Sequence, residues 1–349
     1  MPRPTRLCTA ALSAVLSVAL LGCGGAAQTS KVTSSPAACS NRTVKIGVPV
    51  SPPNVVHLPA YVANDLGYFK DENLDVQFLT FQSGVESFRA MASGSVDVAG
   101  SAMESIVGAV AQGADTKVVT SYQVPNDFAF VVGPSIHTLS DLKGKRVNIE
   151  SAGSITDALS RFVLQKAKID PSQVQLVTST TAGRVTALLA GQADTGVLHY
   201  DQALIVQQRD PQLHILVNLA TTLTNYQMAG WVMSPTLLQN DPATAECIVR
   251  ALIKGNRAMY DTGKRQQVQQ IAVKYTKEPA DVVASTLAAL ARAKVWPQNE
   301  GVSRSAVQGT MKSMEQRDLL PSPPAYNKLV DVSIAAKVVD QLGRKNFPY

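Results

Sequence analysis

Aromatic residues, cysteines and histidines are scarce in this sequence: Phe, Trp and Tyr make up 5% of its 349 residues, and it holds four cysteines and four histidines. The cysteines and histidines lack zinc-site spacing, which argues against a structural metal. There is no P-loop, no G-x-S-x-G, no H-E-x-x-H and no nucleotide fingerprint after a strand. The expectation is a protein that is not an enzyme and uses neither cofactor nor metal. The net charge of +6 is spread thinly, without the basic run or stripe that nucleic-acid binding calls for. Residues 10–21 form an apolar run, shorter than the ~20 residues of a spanning helix. What is present is an ordinary globular composition, 45% hydrophobic and 17% charged. The length suits two domains with sizeable cores.

The N-terminus is more specific. Arg3 and Arg6 precede the apolar run, and Leu20-Leu21-Gly22-Cys23 closes it. A positive start, an apolar middle and a small residue at the cut describe an export signal peptide, here 1–22. The four closing residues resemble a lipobox, with Leu21 bulkier than the residue common there. The resemblance implies that Cys23 is acylated, with palmitate, and becomes the first mature residue. The protein then works outside the cytoplasm, anchored to the cell membrane by lipid. A single chain anchors only marginally, so stable attachment takes more than one. The alternative is a cleaved signal on a secreted, untethered protein. Residues 23–43, rich in Gly, Ala, Ser and Thr, read as a flexible tether. Cys8 belongs to the signal. Cys39 and Cys247 sit in a compartment that permits disulfides, and either bridge or stay as free thiols.

From Val44 onward the pattern alternates between strand and helix. Strands are expected at 44–48, 75–80, 96–99 and 117–121, with helices at 59–66, 85–93 and 104–112. A second block repeats the scheme, with strands at 128–132, 146–149, 174–177 and 195–198. Its helices are a short one at 139–142 and three at 155–168, 185–190 and 202–209. Such spacing argues for a mainly parallel sheet flanked by helices in each block. After 221 one more strand, 227–232, precedes helices at 242–260, 267–275, 280–293, 303–316 and 333–342. That strand is expected to return to the first block. Lobe 1 then comprises 44–125 and 226–349, and lobe 2 comprises 126–225, joined by two crossing segments near 123–128 and 220–226. The blocks share a local pattern: Met91-Ala92-Ser93-Gly94-Ser95-Val96-Asp97 lines up with Leu188-Leu189-Ala190-Gly191-Gln192-Ala193-Asp194. Glycine ends the helix in a left-handed conformation and aspartate turns the chain into the next strand.

His57-Leu58-Pro59-Ala60-Tyr61-Val62-Ala63, then Gly67-Tyr68-Phe69, then Leu74-Asp75-Val76 resemble the opening of substrate-binding proteins of ABC importers. The subgroup is that of nitrate, taurine, alkanesulfonates and thiamine precursors. The similarity continues through 84–97, Leu139-Ser140-Asp141-Leu142-Lys143-Gly144-Lys145 and 188–194, covering roughly 44–232. It implies an α/β, two-lobed periplasmic-binding-protein type II fold with the ligand between the lobes. It also implies a monomer that passes a small molecule to ABC permease and ATPase subunits. The same cleft follows from elementary topology, because ligands of open α/β sheets sit beyond the carboxyl ends of the strands. Helix starts there offer free N–H groups.

The candidate ligand residues lie in those loops. Ser151, Gly153 and Ser154 precede a helix and either hold a ligand or cap the helix. Gln82, Ser83 and Gly84 are the matching loop of the first lobe, with the same two readings. His57 either donates to a ligand or is structural. In related thiamine-pyrimidine synthases a histidine is consumed, but those enzymes carry a cysteine-rich iron motif that this chain lacks. Tyr122, Tyr200 and Tyr226 stack on a ligand or fill the core. Ser101 shares a loop with Glu104. Glu104, Asp127 and Asp201 are the loop carboxylates; two of them in the cleft disfavour an anion and favour a ligand with N–H donors. Arg184, the loop-adjacent arginine, either pairs with an anionic ligand or lies at the surface, and the surface is the expectation. The competing functions are a thiamine-pyrimidine-type enzyme and a tethered sensor without transport.

Overall fold

Among the described residues, ten strands in two separate sheets set the frame. The computed structural model describes residue 39 and residues 41–348. The expected signal 1–22, Cys23 and the tether up to 38 lie outside the described residues. β1 (Arg42–Val48), β2 (Leu74–Thr80), β3 (Val98–Ala102) and β4 (Lys117–Thr120) come first. They are followed by β5 (Phe128–Val132), β6 (Arg146–Ile149), β7 (Gln175–Thr178), β8 (Thr195–His199), β9 (His214–Asn218) and β10 (Ala229–Met233). The sheet orders are β2-β1-β3-β10-β4 and β7-β6-β8-β5-β9. These are the same arrangement twice. β1 pairs in parallel with β2 and β3, as β6 does with β7 and β8. β10 runs against β3 and β4, as β5 runs against β8 and β9. In each sheet four strands therefore share a direction and one opposes them.

The central strands β5, β8 and β10 are buried along their whole length, and β5, Phe-Ala-Phe-Val-Val, reads accordingly as a continuous apolar run. β9 is half-buried throughout and was not anticipated. Its apolar stretch, Ile215-Leu216-Val217, is too short to stand out, and pairing with β5 supplies what periodicity does not.

The helices between the strands are α1 (Pro59–Asp65), α2 (Gly84–Ala92), α3 (Met103–Ala111), α4 (Ile155–Ala167), α5 (Gly183–Leu189) and α6 (Tyr200–Arg209). Later come α7 (Leu219–Thr222), α8 (Pro235–Asn240), α9 (Pro242–Ala258), α10 (Arg265–Thr276), α11 (Ala280–Arg292), α12 (Arg304–Glu315), α13 (Tyr326–Leu329) and α14 (Ser333–Leu342). Pro59 sits in the first turn of α1, where its missing N–H costs nothing. Met103, Ile106 and Val107 of α3 cluster with Val307, Met311 and Met314 of α12 on Ala99, Val118 and Val232 of the first sheet. Ile155, Leu159 and Val163 of α4 cluster with Phe130, Val147 and Val197 of the second. Among the described residues no helix is long and apolar enough to cross a membrane.

The shared sequence pattern has one physical meaning in both sheets. Gly94 and Gly191 adopt φ of +75° and +64°, left-handed values that glycine reaches without strain. Asp97 then accepts from the Lys45 N–H at 2.8 Å, and Asp194 from the Arg146 N–H at 2.8 Å. Each aspartate also pairs with an arginine of the neighbouring strand, Arg42 or Arg146. Cys39 and Cys247 are joined as a disulfide, their Cα atoms 6.5 Å apart. The bridge fastens the chain ahead of β1 to α9, and closing so long a loop contributes about 2–5 kcal/mol.

Candidate functional site

Carboxyl ends of strands from both sheets converge on one cavity. Pro49 and Val50 follow β1, Ala102 ends β3, Glu150 follows β6 and His199 ends β8. His57, Gly84, Ile155, Gln123 and Phe128 of the first crossing segment, and Met228 and Ala229 at the start of β10 complete the wall. The cavity measures about 40 Å³, little more than one water's share of liquid volume. The two sheets are thus closed upon it.

His57 ends a short 3-10 turn and is buried. Its Nδ1 has no hydrogen-bond partner. The ring lies 5.6 Å from those of Tyr122 and His199. Burial first, then His199 and Arg184, holds the His57 imidazole well below its ordinary pKa, so it is neutral at pH 7. His199 is fixed from behind: its Nδ1 lies 2.8 Å from Asp127 Oδ2, and its ring stacks on Phe128. Gln123 in turn donates to Asp127 Oδ1. Burial, then Asp127 and Glu150, pushes the Tyr122 hydroxyl up.

Glu150 accepts from Thr181 Oγ1 at 2.6 Å. Arg184 Nη2 lies 3.3 Å from the same carboxylate, close enough for charge but without a directed hydrogen bond. Arg184 Nη1 donates to the Val197 carbonyl at 2.8 Å. The guanidinium is fully buried, which overturns the expected surface position. A charge in that place is tolerated because Glu150 offsets it.

The other expected ligand residues separate by role. Gly84 lines the cavity, and its carbonyl accepts from the buried Ser101 Oγ at 2.9 Å. Ser83 and Ser154 cap α2 and α4, accepting from the Glu86 and Asp157 N–H groups, each at 3.3 Å. Gln82 is exposed, and its N–H donates to Glu86. The 82–84 loop is also not the counterpart of 151–154: it follows β2, whereas the second loop follows β6, the partner of β1. Ser151 Oγ is buried without a partner. Gly153 is exposed with φ +76°, and its N–H donates to Asp157. Tyr226 is buried in the core with an unpartnered hydroxyl. Tyr200 and Asp201 lie instead on a groove of about 370 Å³ between α6 and α11.

Glu104 is drawn away from the cavity. It is 2% exposed and bonds Arg317 Nη2 at 2.6 Å. Burial pushes its pKa up to about 7 against the pull of Arg317. Glu150 and His199 were missed as site residues. The signal was available, since each stands where a parallel strand delivers its last side chain to the cleft.

Comparison with known proteins follows this geometry. A binding protein of Bacillus subtilis (strain 168), YtlA, is 23% identical over 294 residues, covering 82% of this chain and 88% of its own. A 4-amino-5-hydroxymethyl-2-methylpyrimidine phosphate synthase of Candida albicans (strain WO-1) is 35% identical over 94 residues. That match covers only 26% of this chain and 28% of the synthase. The solved ligand-binding component of an ABC-type import system from Staphylococcus aureus superposes with a TM-score of 0.71 at 17% identity. It covers 85% of this chain and 99% of that one, so the fold is that of periplasmic binding proteins. The family model described as NMT1/THI5 like matches residues 54–265, well over half of the sequence, and the chain belongs to that family.

Proposed function

We propose that this protein is an extracytoplasmic solute-binding receptor that delivers a small molecule to an ABC importer. The observation that carries the reading is the cavity between the sheets, built from strand ends of both and holding a buried His57 with a free ring nitrogen. In this reading residues 44–125 and 226–349 form one lobe and 126–225 the other. The lobes part about the two crossing segments and close on the solute. A monomer is sufficient, with permease and ATPase subunits as partners. The signal 1–22 and acylation of Cys23 keep it on the outer face of the cell membrane.

The wall chemistry supports a ligand class. Glu150 is the carboxylate on the cavity, and Arg184 behind it is engaged by Glu150 and a carbonyl. Glu150 and Arg184 offset each other, and among the described lining residues no lysine or arginine faces the cavity to hold an anion. The site therefore favours a small, flat molecule, uncharged or rich in N–H donors, over a nitrate or sulfonate. Of the contacts read from the sequence, His57 and Gly84 line the cavity, and Tyr122 packs beside the His57 ring.

Mass spectrometry of whatever co-purifies with the native protein is the test, followed by thermal shifts with the identified compound. Saturating ligand is expected to raise the melting temperature by a few degrees. A protein that retains nothing and responds to no nitrogenous solute in a broad panel refutes the reading. The partial synthase match motivates a second reading as an enzyme. It requires a chemically altered His57 or bound iron, and intact-mass and metal analysis decide it.

A further inference from the structure

Among the described residues, Arg317 is the one buried guanidinium that reaches from the first sheet's helices to the second's. It follows α12, and its Nε donates to the Ser313 carbonyl at 2.8 Å. Nη2 donates to Glu104 Oε1 of α3 at 2.6 Å. Nη1 donates to the Ala158 carbonyl of α4. α3 and α12 belong to the core of the first sheet and α4 to that of the second. Two further bonds cross at the same corner. Ser105 Oγ donates to the Gly153 carbonyl at 3.3 Å, and Gln165 Nε2 to the Gln316 carbonyl at 2.6 Å. This corner lies away from the cavity that holds His57 and Glu150.

We propose that Arg317 is a latch that holds the closed arrangement, by neutralising Glu104 in the seam between the lobes while gripping α4. The physical reason is asymmetric. With the lobes together, Glu104 is 2% exposed, and its neighbouring carboxylate Asp157 is itself taken by Arg161 at 2.8 Å. Arg317 is then its compensating charge. With the lobes apart, water takes over that role. Removing Arg317 therefore penalises closure more than opening: it cuts the bond to α4 and, above pH 7 where Glu104 is ionised, leaves a buried carboxylate without its cation. Removing both charges together lifts most of that penalty. Arg317 is a positioning residue here: it is remote from the solute and acts on the equilibrium between two arrangements.

The latch rests on the reading that the lobes part. That reading is tested by retained solute and this one by molecular size, so the two fail separately. X-ray scattering is measured on the full chain as purified, with whatever solute it retains. Wild-type protein is expected to scatter as the closed arrangement, and Arg317→Met to shift to a larger radius of gyration with unchanged far-ultraviolet dichroism. The double variant Glu104→Gln with Arg317→Met is expected to return most of the way. Lys312→Ala, an exposed change on the same helix, is expected to leave the profile alone. If Arg317→Met fails to fold, Ser105→Ala and Gln165→Ala serve, since each cuts one crossing bond without stranding charge; smaller shifts in the same direction are expected. A wild-type profile that does not fit the closed arrangement overturns the latch. So does an unshifted Arg317→Met, a double variant as expanded as the single one, or unshifted scattering in both polar variants.

Discussion

The two sheets repeat one strand order but not one chemistry. Counting from the glycine that ends the preceding helix aligns them: Ser87 and Arg184 each lie seven residues before it, and Ala102 and His199 each eight after it. The paired registers Gly47↔Ala99 and Asn148↔Gly196 likewise align Pro49 with Glu150. Where the first half has proline, serine and alanine, the second has glutamate, arginine and histidine. The first half answers with His57, from the longer loop after β1. The repeated parts, glycine turn and aspartate bridge, hold backbone. The unrepeated parts carry charge into the cavity, so a single scaffold used twice makes a site with two unlike jaws.

The largest effect that sharpens this contrast is at the aligned pair Arg184 and Ser87. Arg184→Ala leaves Glu150 buried without its cation and is expected to cost about 3–5 kcal/mol in denaturant unfolding. Ser87 is fully buried with an unpartnered hydroxyl, so Ser87→Ala is expected to be neutral or slightly stabilising. Equal losses at the two positions would break the contrast.

A second test uses the aligned carboxylates Glu104 and Asp201, each ten residues past the shared glycine and each pushed up by burial. Glu104 is raised from its ordinary 4.5 to about 7. Its contribution to stability is therefore full below pH 4.5 and is lost as pH rises through 7. The span is on the order of 3 kcal/mol. Glu104→Gln is expected to remove that slope, matching wild type near pH 4.5 and exceeding it at pH 8. His57, held below its ordinary pKa, acts in the other direction: its contribution is present above 6.5 and lost as pH falls. Urea unfolding across pH 4.5–8 checks both signs.

The smallest effect probes what the halves have in common. Gly94→Ala and Gly191→Ala each force a left-handed residue to carry a Cβ, for about 1–2 kcal/mol. Neither Cβ meets another atom within 4 Å, so backbone conformation is the whole cost. Matching melting-temperature losses are expected, and a clear inequality would mean that the two turns do different work.

Much of the fold was legible because it rests on local chemistry. Ser83 and Ser154 announce the starts of α2 and α4, Gly94 and Gly191 announce helix ends, and buried strands such as β5 are continuous apolar runs. β9 escaped because its stability comes from a partner strand rather than from its own pattern. Loop position pointed to His57 and Gly84, which line the cavity. Glu150 was overlooked although its place at a strand end was legible, and the burial of Arg184 against it was not, since burial of an ion pair depends on who faces whom.

By itself the sequence determined the alternation of strand and helix, the glycine and aspartate turns that recur in both halves, and the resemblance that names the fold. These depend on residues within a few positions of one another, where propensity and capping act. Only the tertiary structure decided that Cys39 meets Cys247, that Arg184 is buried against Glu150, and that Glu104 leaves the cavity for Arg317. Those partners are brought together by packing across tens to hundreds of residues, and whether a charge is buried depends on the assembled surroundings, which no short stretch of chain contains.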